Sequence, residues 1–263
     1  VAISLASLKK TSAKPNPLIL LYGVEGVGKD TLAAEFPAPI LIQTAGENPP
    51  AGVEIDTFGE LGDFESFMSA FEALFAEEHS YQTLIISAID GVSRIIEAET
   101  CRREGWNSIE DPGYGKGYIA ADAVWQEFLE PLRQLGPAKG MTVILIGHTE
   151  IKNFDDPASS SYSRYQPNLQ KRAADMIKAA SDIIAFVNHR VTIKKEKGAF
   201  GSETKEAQGA GVRVIYLEER PGFIAKNRYD MPAEIQFVKG KGYNALAKFF
   251  APEPGKADAK AAA

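Results

Sequence analysis

The chain has 263 residues, 44% of them hydrophobic, and a formal net charge of −6. That length can bury one sizeable core, so one α/β domain, or one domain with a small appendage, is expected. The acidic balance excludes a global attraction to nucleic acid or anionic membranes, and the single cysteine, Cys101, excludes an internal disulfide and a cysteine-rich zinc site.

Residues 1–15 and 251–263 are poor in large apolar side chains and rich in Lys, Pro and Ala. They read as a flexible N-terminal segment and a disordered C-terminal tail around one domain at 16–250. No apolar run exceeds strand length, and no secretory hydrophobic stretch opens the chain, so a cytoplasmic protein with no membrane contact is expected.

In chain order, Leu18 to Tyr22 is the first apolar run and reads as a buried strand. Gly23, Val24, Glu25, Gly26, Val27, Gly28, Lys29, Asp30 and Thr31 follow it, and Gly23, Gly28 and Lys29 satisfy G-x-x-x-x-G-K between a strand and a helix. Glycines in such a loop let successive backbone N–H groups face one anion, and the lysine reaches the β and γ phosphates. The bland alternative is a chance glycine-rich turn. Asp30 stands where a magnesium-binding hydroxyl is usual. Its carboxylate can also ligate the ion, but it brings negative charge towards the β-phosphate. Unscreened, such a pair costs roughly 4 kcal/mol at 4 Å and an effective dielectric near 20. Weakened rather than abolished Mg·nucleotide binding is expected.

Further runs at Ile40–Gln43, Leu84–Ile86 and Val143–Ile146 read as buried parallel strands. Between them, Phe64, Phe67, Met68, Phe71, Leu74 and Phe75 have helical spacing, as do Trp125, Phe128, Leu129 and Leu132. This alternation predicts a mostly parallel sheet with helices on both faces. "DPGYGKGY" places Tyr114 and Lys116 among glycines, either as a mobile binding loop or as a hinge before the Trp125 helix. The segment after His148 reads as a long loop carrying Tyr162, Arg164 and Tyr165, with a helix at Gln170–Ala180 that carries Lys171 and Arg172. Aromatic and cationic groups together suit single-stranded DNA; a surface loop at a subunit interface is the alternative. Beyond residue 180, "SDIIAFVNHRVTI", "GVRVIYLEER" and "FIAKNRY" predict antiparallel strands, and residues 194–211 read as a mobile hairpin or excursion.

Together, "YGVEGVGKDTLAAEFPAPILIQTAGE", "SIEDPGYGKGY", "VILIGHTEIKNFDDP", "YSRYQPNLQKRAAD" and "EERPGFIAKNRYDMP" resemble the phage-encoded RecA-like P-loop ATPases that act in single-strand annealing or recombination. The resemblance spans roughly residues 16 to 238. It implies ATP and Mg²⁺ at Gly23–Thr31, with Asp30 and Asp90 as metal ligands. It also implies single-stranded DNA at two mobile loops, a homo-oligomer in ring or filament form, and a single-strand binding protein as a candidate partner.

In that pattern a glutamate after the second core strand polarises water, but Ala45 stands there, with Glu47 two residues on. An acid ends the third strand, but Ser87 stands there, with Asp90 three residues on. Departures at 30, 45 and 87 imply impaired hydrolysis; rescue by Glu47 and Asp90 is the alternative. His148 matches a γ-phosphate sensor, or is a strand-end histidine satisfied by backbone. Lys226 and Arg228 match a pair that reaches a neighbouring subunit's phosphates, or form an exposed strand edge. Two wider alternatives remain: an active ATPase switch or motor in phage DNA replication, and a structural oligomerising module without nucleotide dependence.

Overall fold

The computed structural model describes residues 16–155, 160–197 and 203–250. The elements run β1 (Leu18–Gly23), α1 (Lys29–Ala34), β2 (Pro39–Gln43), β3 (Asp56–Glu60), α2 (Phe64–Ala76), β4 (Thr83–Ser87), α3 (Ile89–Glu104), α4 (Lys116–Lys139), β5 (Thr142–Gly147), β6 (Thr149–Phe154), β7 (Tyr162–Pro167), α5 (Lys171–Ala180), β8 (Ile183–Lys197), β9 (Glu203–Tyr216), β10 (Lys226–Asn227), β11 (Glu234–Phe237) and α6 (Gly242–Phe250).

The main sheet has the order β11-β9-β8-β1-β5-β4-β2-β3, with β10 paired to β8. From β8 to β3 every pairing is parallel, whereas β9, β10 and β11 join antiparallel. This is the α/β architecture expected from the sequence, a mostly parallel sheet with the antiparallel extension on its C-terminal side.

Every residue of β1 is buried because both faces of the sheet are covered. Leu18, Leu20 and Tyr22 face a core closed by α2, α3, α4 and α5, while Ile19 and Leu21 face a second core closed by α1, β11 and α6. The alternation of a strand thus feeds both layers. The Phe64–Phe75 and Trp125–Leu132 stripes are the helix faces that fill the first core, through edge-on ring contacts such as Phe67–Phe128 at 5.6 Å. Asp63 caps α2 by accepting from the Ser66 amide at 2.8 Å.

The sequence left α6 unassigned. It is fastened to the phosphate-loop helix by Glu35, whose carboxylate accepts from the amides of Gly240 at 2.7 Å, Tyr243 at 3.0 Å and Gly242. A carboxylate on the first amides of a helix satisfies donors that have no intrahelical partner.

One expectation is corrected. The long loop after His148 is a hairpin, with β6 and β7 paired antiparallel from Thr149↔Pro167 to Phe154↔Tyr162. The cause is cross-strand packing that turn residues mask in the sequence: Phe154 and Tyr162 touch at 5.5 Å, and Arg164 lies over the Phe154 ring at 4.6 Å. The expected hairpin near 194–211 is formed by β8 and β9, which pair through to Lys197↔Glu203. The flexible ends expected at 1–15 and 251–263 lie outside the described residues.

Candidate functional site

β1 ends in the middle of the sheet, and the G-x-x-x-x-G-K loop leaves from its tip. The loop turns through Gly26 at φ 69° and Gly28 at φ 94°, both left-handed conformations that glycine adopts without a Cβ penalty. Leu32 then donates to the Gly28 carbonyl at 3.0 Å and starts α1.

Lys29 is 5% exposed, and its Nζ donates to the carbonyls of Gly23 at 3.0 Å and Val24 at 3.1 Å. The ammonium is therefore held inside the loop rather than in water. Burial pulls its pKa down, opposed by the charges of Asp30, Glu25, Glu47 and Asp90. Arg213 of β9, which the sequence did not single out, donates to the Val27 carbonyl at 2.9 Å and braces the loop from the antiparallel side. A cradle of left-handed glycines around a buried ammonium suits a polyphosphate.

The acids lie where the neighbouring strands end. Ser87, at the tip of β4, donates from Oγ to Asp30 Oδ1 at 3.0 Å. Asp90, in the first turn of α3, meets His148 Nδ1 with both carboxylate oxygens, at 3.0 and 3.1 Å. The other ring nitrogen of His148 lies 4.0 Å from Glu47 Oε1. Burial raises the Glu47 pKa, helped by the charges of Asp30 and Asp90 and opposed by His148 and Lys29.

Thr44 knits these strand ends together. Its amide donates to the Ser87 carbonyl at 2.7 Å, and its hydroxyl accepts from the Ala88 amide at 3.0 Å. Ala45, where the resembled family carries glutamate, is exposed. Lys29, Asp30, Glu47, Ser87, Asp90 and His148 thus form one neighbourhood. The set offers oxygen ligands of the kind Mg²⁺ accepts, although no group of three or more His, Cys, Asp or Glu among the described residues could hold a metal ion. Asp90 is committed to His148, which leaves Asp30 with Ser87 as its hydroxyl companion.

Lys226 and Arg228 lie elsewhere. Lys226 Nζ donates to the carbonyls of Lys178 at 2.8 Å and Ser181 at 2.6 Å, closing the C-terminal end of α5. Arg228 is paired with Asp182 at 3.1 Å, and Asp182 also accepts from the Leu18 amide at 3.1 Å. That places the pair at the start of β1, roughly 17 Å of strand from the phosphate loop at its end. Within one chain the pair does not meet the loop.

The aromatic and basic residues considered for DNA divide into two groups. Arg164 is buried and bonded to Glu219 at 2.6 Å. Tyr165 stacks on Phe186 at 5.2 Å, and Arg172 is paired with Asp122. Arg164 and Tyr165 are thus engaged in the chain's own packing, whereas Arg172 is held in an exposed ion pair. Tyr114 is 100% exposed, at φ 51° between two left-handed glycines, and Lys116 and Lys171 are exposed at the starts of α4 and α5. Tyr162 is half-buried against Phe154. The hairpin that carries it begins directly after His148 and is closed by the Asn168 amide on the His148 carbonyl at 2.9 Å. The hairpin base is thus tied to His148 through its backbone.

The model of a family described as an AAA domain matches residues 16–229. Among solved structures, the chain is similar to a crystal structure of the RadB recombinase, with 13% identity, 85% of this chain and 87% of that chain covered, and a TM-score of 0.47. No curated protein matches.

Proposed function

Since the chain belongs to the AAA domain family, we propose that it binds ATP with Mg²⁺ at Gly23–Thr31 and uses that nucleotide to control binding of single-stranded DNA in annealing or recombination, in a phage setting. The observation that carries this reading is the buried Lys29 ammonium, held on the Gly23 and Val24 carbonyls inside a loop of left-handed glycines. Turnover is slow, because Ala45 and Ser87 remove carboxylates from the two places the resembled family uses for water and metal. Assembly into a ring or filament brings Lys226 and Arg228 of one copy towards the phosphates of another. No described helix is long and apolar enough to cross a membrane.

DNA contact falls to the exposed Tyr114, Lys116, Lys171 and Tyr162. The test is a titration with single-stranded DNA at several salt concentrations, with and without Mg·ATP. Neutralising two or three phosphates gives a log–log salt slope of about −1.4 to −2. Tyr114→Ala weakens binding about tenfold, the lower range for one stacked base. A flat salt response with no effect of Tyr114→Ala or of nucleotide removes the DNA part of the reading.

One contact favours a second reading, an active ATPase. The chain Asp90–His148–Glu47 brings together a carboxylate, an imidazole and a second carboxylate whose proton affinity burial has raised, groups of the kind that serve as a general base. Under that reading DNA-stimulated phosphate release is robust and Glu47→Gln abolishes it. Negligible release leaves the slow-turnover reading in place, whereas robust release indifferent to Glu47→Gln removes both the Glu47 role and slow turnover.

A further inference from the structure

We propose that the carboxylate and the hydroxyl that hold a divalent ion beside a P-loop nucleotide have exchanged positions in this chain, Asp30 supplying the carboxylate from the loop and Ser87 the hydroxyl from the strand end. This inference rests on the nucleotide-binding reading above. P-loop proteins take a hydroxyl from the residue after the loop lysine and a carboxylate from a neighbouring strand. Read one at a time, Asp30 and Ser87 are two defects. Read together, they keep one group of each kind.

The fold explains why the exchange is tolerated. β5 lies between β1 and β4 in the sheet, yet α1 packs across to β4. Asp30 in the first turn of α1 therefore comes down onto Ser87 at the tip of β4, with Oγ donating to Oδ1 at 3.0 Å. The two side chains are interchangeable about that bond: a hydroxyl and a carboxylate meet whichever backbone carries which. Together they bring one negative charge and two kinds of oxygen donor, which suits Mg²⁺. Asp90 does not compete, because both its oxygens face His148 Nδ1.

Like-charge physics supplies a sign that a merely structural hydrogen bond does not. A carboxylate beside the phosphates repels a bare nucleotide and attracts a metal-bound one. The variant Asp30→Asn keeps the size and can still accept from Ser87, but it removes the charge. ATP affinity is measured by calorimetry in Mg²⁺ and in EDTA, and nucleotide-dependent Mn²⁺ binding is followed by electron paramagnetic resonance.

Asp30→Asn should weaken ATP binding in Mg²⁺ by about tenfold or more, tighten it in EDTA, and reduce bound Mn²⁺. Ser87→Asp alone sets two carboxylates against each other and loses Mg²⁺-dependent affinity; adding Asp30→Ser in the same chain restores it. The exchange is overturned if Asp30→Asn moves both affinities in the same direction or neither, or if the double variant binds no better than the weaker single one. Should Ser87→Asp fail to fold, the Asp30→Asn comparison decides alone. ATP binding in EDTA with an undisturbed Mg²⁺ effect in Asp30→Asn sinks only the exchange. Absence of ATP binding in both media, in every form, sinks the nucleotide reading and the exchange with it.

Discussion

Lys29→Ala should weaken Mg·ATP binding by about 100-fold, equivalent to about 2.7 kcal/mol, while the protein still folds. The size follows from the state of the group it removes. Hydrogen bonds to charged groups contribute about 1.5–3 kcal/mol each, and this ammonium is already desolvated and aimed by two loop carbonyls. Little ordering remains to be done when phosphate arrives. Stability changes far less, because the same burial that orients the charge also makes it costly in the free protein, as its lowered pKa records. The measurement is a calorimetric titration with ATP, alongside urea unfolding of both forms. A loss below threefold would mean that the polyphosphate does not sit in this loop, and no heat from the unmodified protein at millimolar ATP would end the functional reading altogether.

Gly23→Ala is expected to be the most destabilising change in the loop, although Gly23 is not the glycine with unusual backbone angles. A Cβ at this position would lie 2.9 Å from the Val187 carbonyl carbon and 3.1 Å from its amide nitrogen, with the carbonyl oxygen nearer still. Those atoms belong to β8, paired in register with β1, so relief requires two central strands to separate. Overpacking of this kind costs about 3 kcal/mol, which lowers the melting temperature by roughly 6–12 °C for a domain of this size. Gly26 has open space around it, and the nearest atom to a Cβ at Gly28 is Arg213 Nε at 3.9 Å. Substitutions there meet conformational strain of about 1–2 kcal/mol instead. Melting curves of Gly23→Ala and Gly26→Ala check the order. Equal shifts would show that backbone conformation rather than strand contact governs the first glycine.

These two glycine roles mark how far the sequence can be read. The G-x-x-x-x-G-K spacing located the loop, and the flanking apolar run and helix stripe located its strand and helix. The spacing did not separate a glycine needed for close strand approach from one needed for a left-handed turn. In the same way the amino-acid types around His148 suggested a DNA loop. Arg164 and Tyr165 were instead drawn into the Glu219 pair and the Phe186 stack: consecutive strand residues point to opposite faces, and each face of this strand meets a partner from elsewhere in the chain. Tyr114 is fully exposed, at a left-handed position between two left-handed glycines.

What the chain's linear order determined was local: strand runs, helix faces, the phosphate loop, and the residue types at 30, 45 and 87. Each of these rests on neighbours within a few positions, where periodicity and turn chemistry act. Sheet order determined the rest. Asp30 meets Ser87 across 57 positions, His148 meets Asp90 across 58, and Arg213 reaches Val27 across 186. No spacing rule records such meetings, because they arise only when strands far apart in the chain are laid side by side and bring their residues to the same loop.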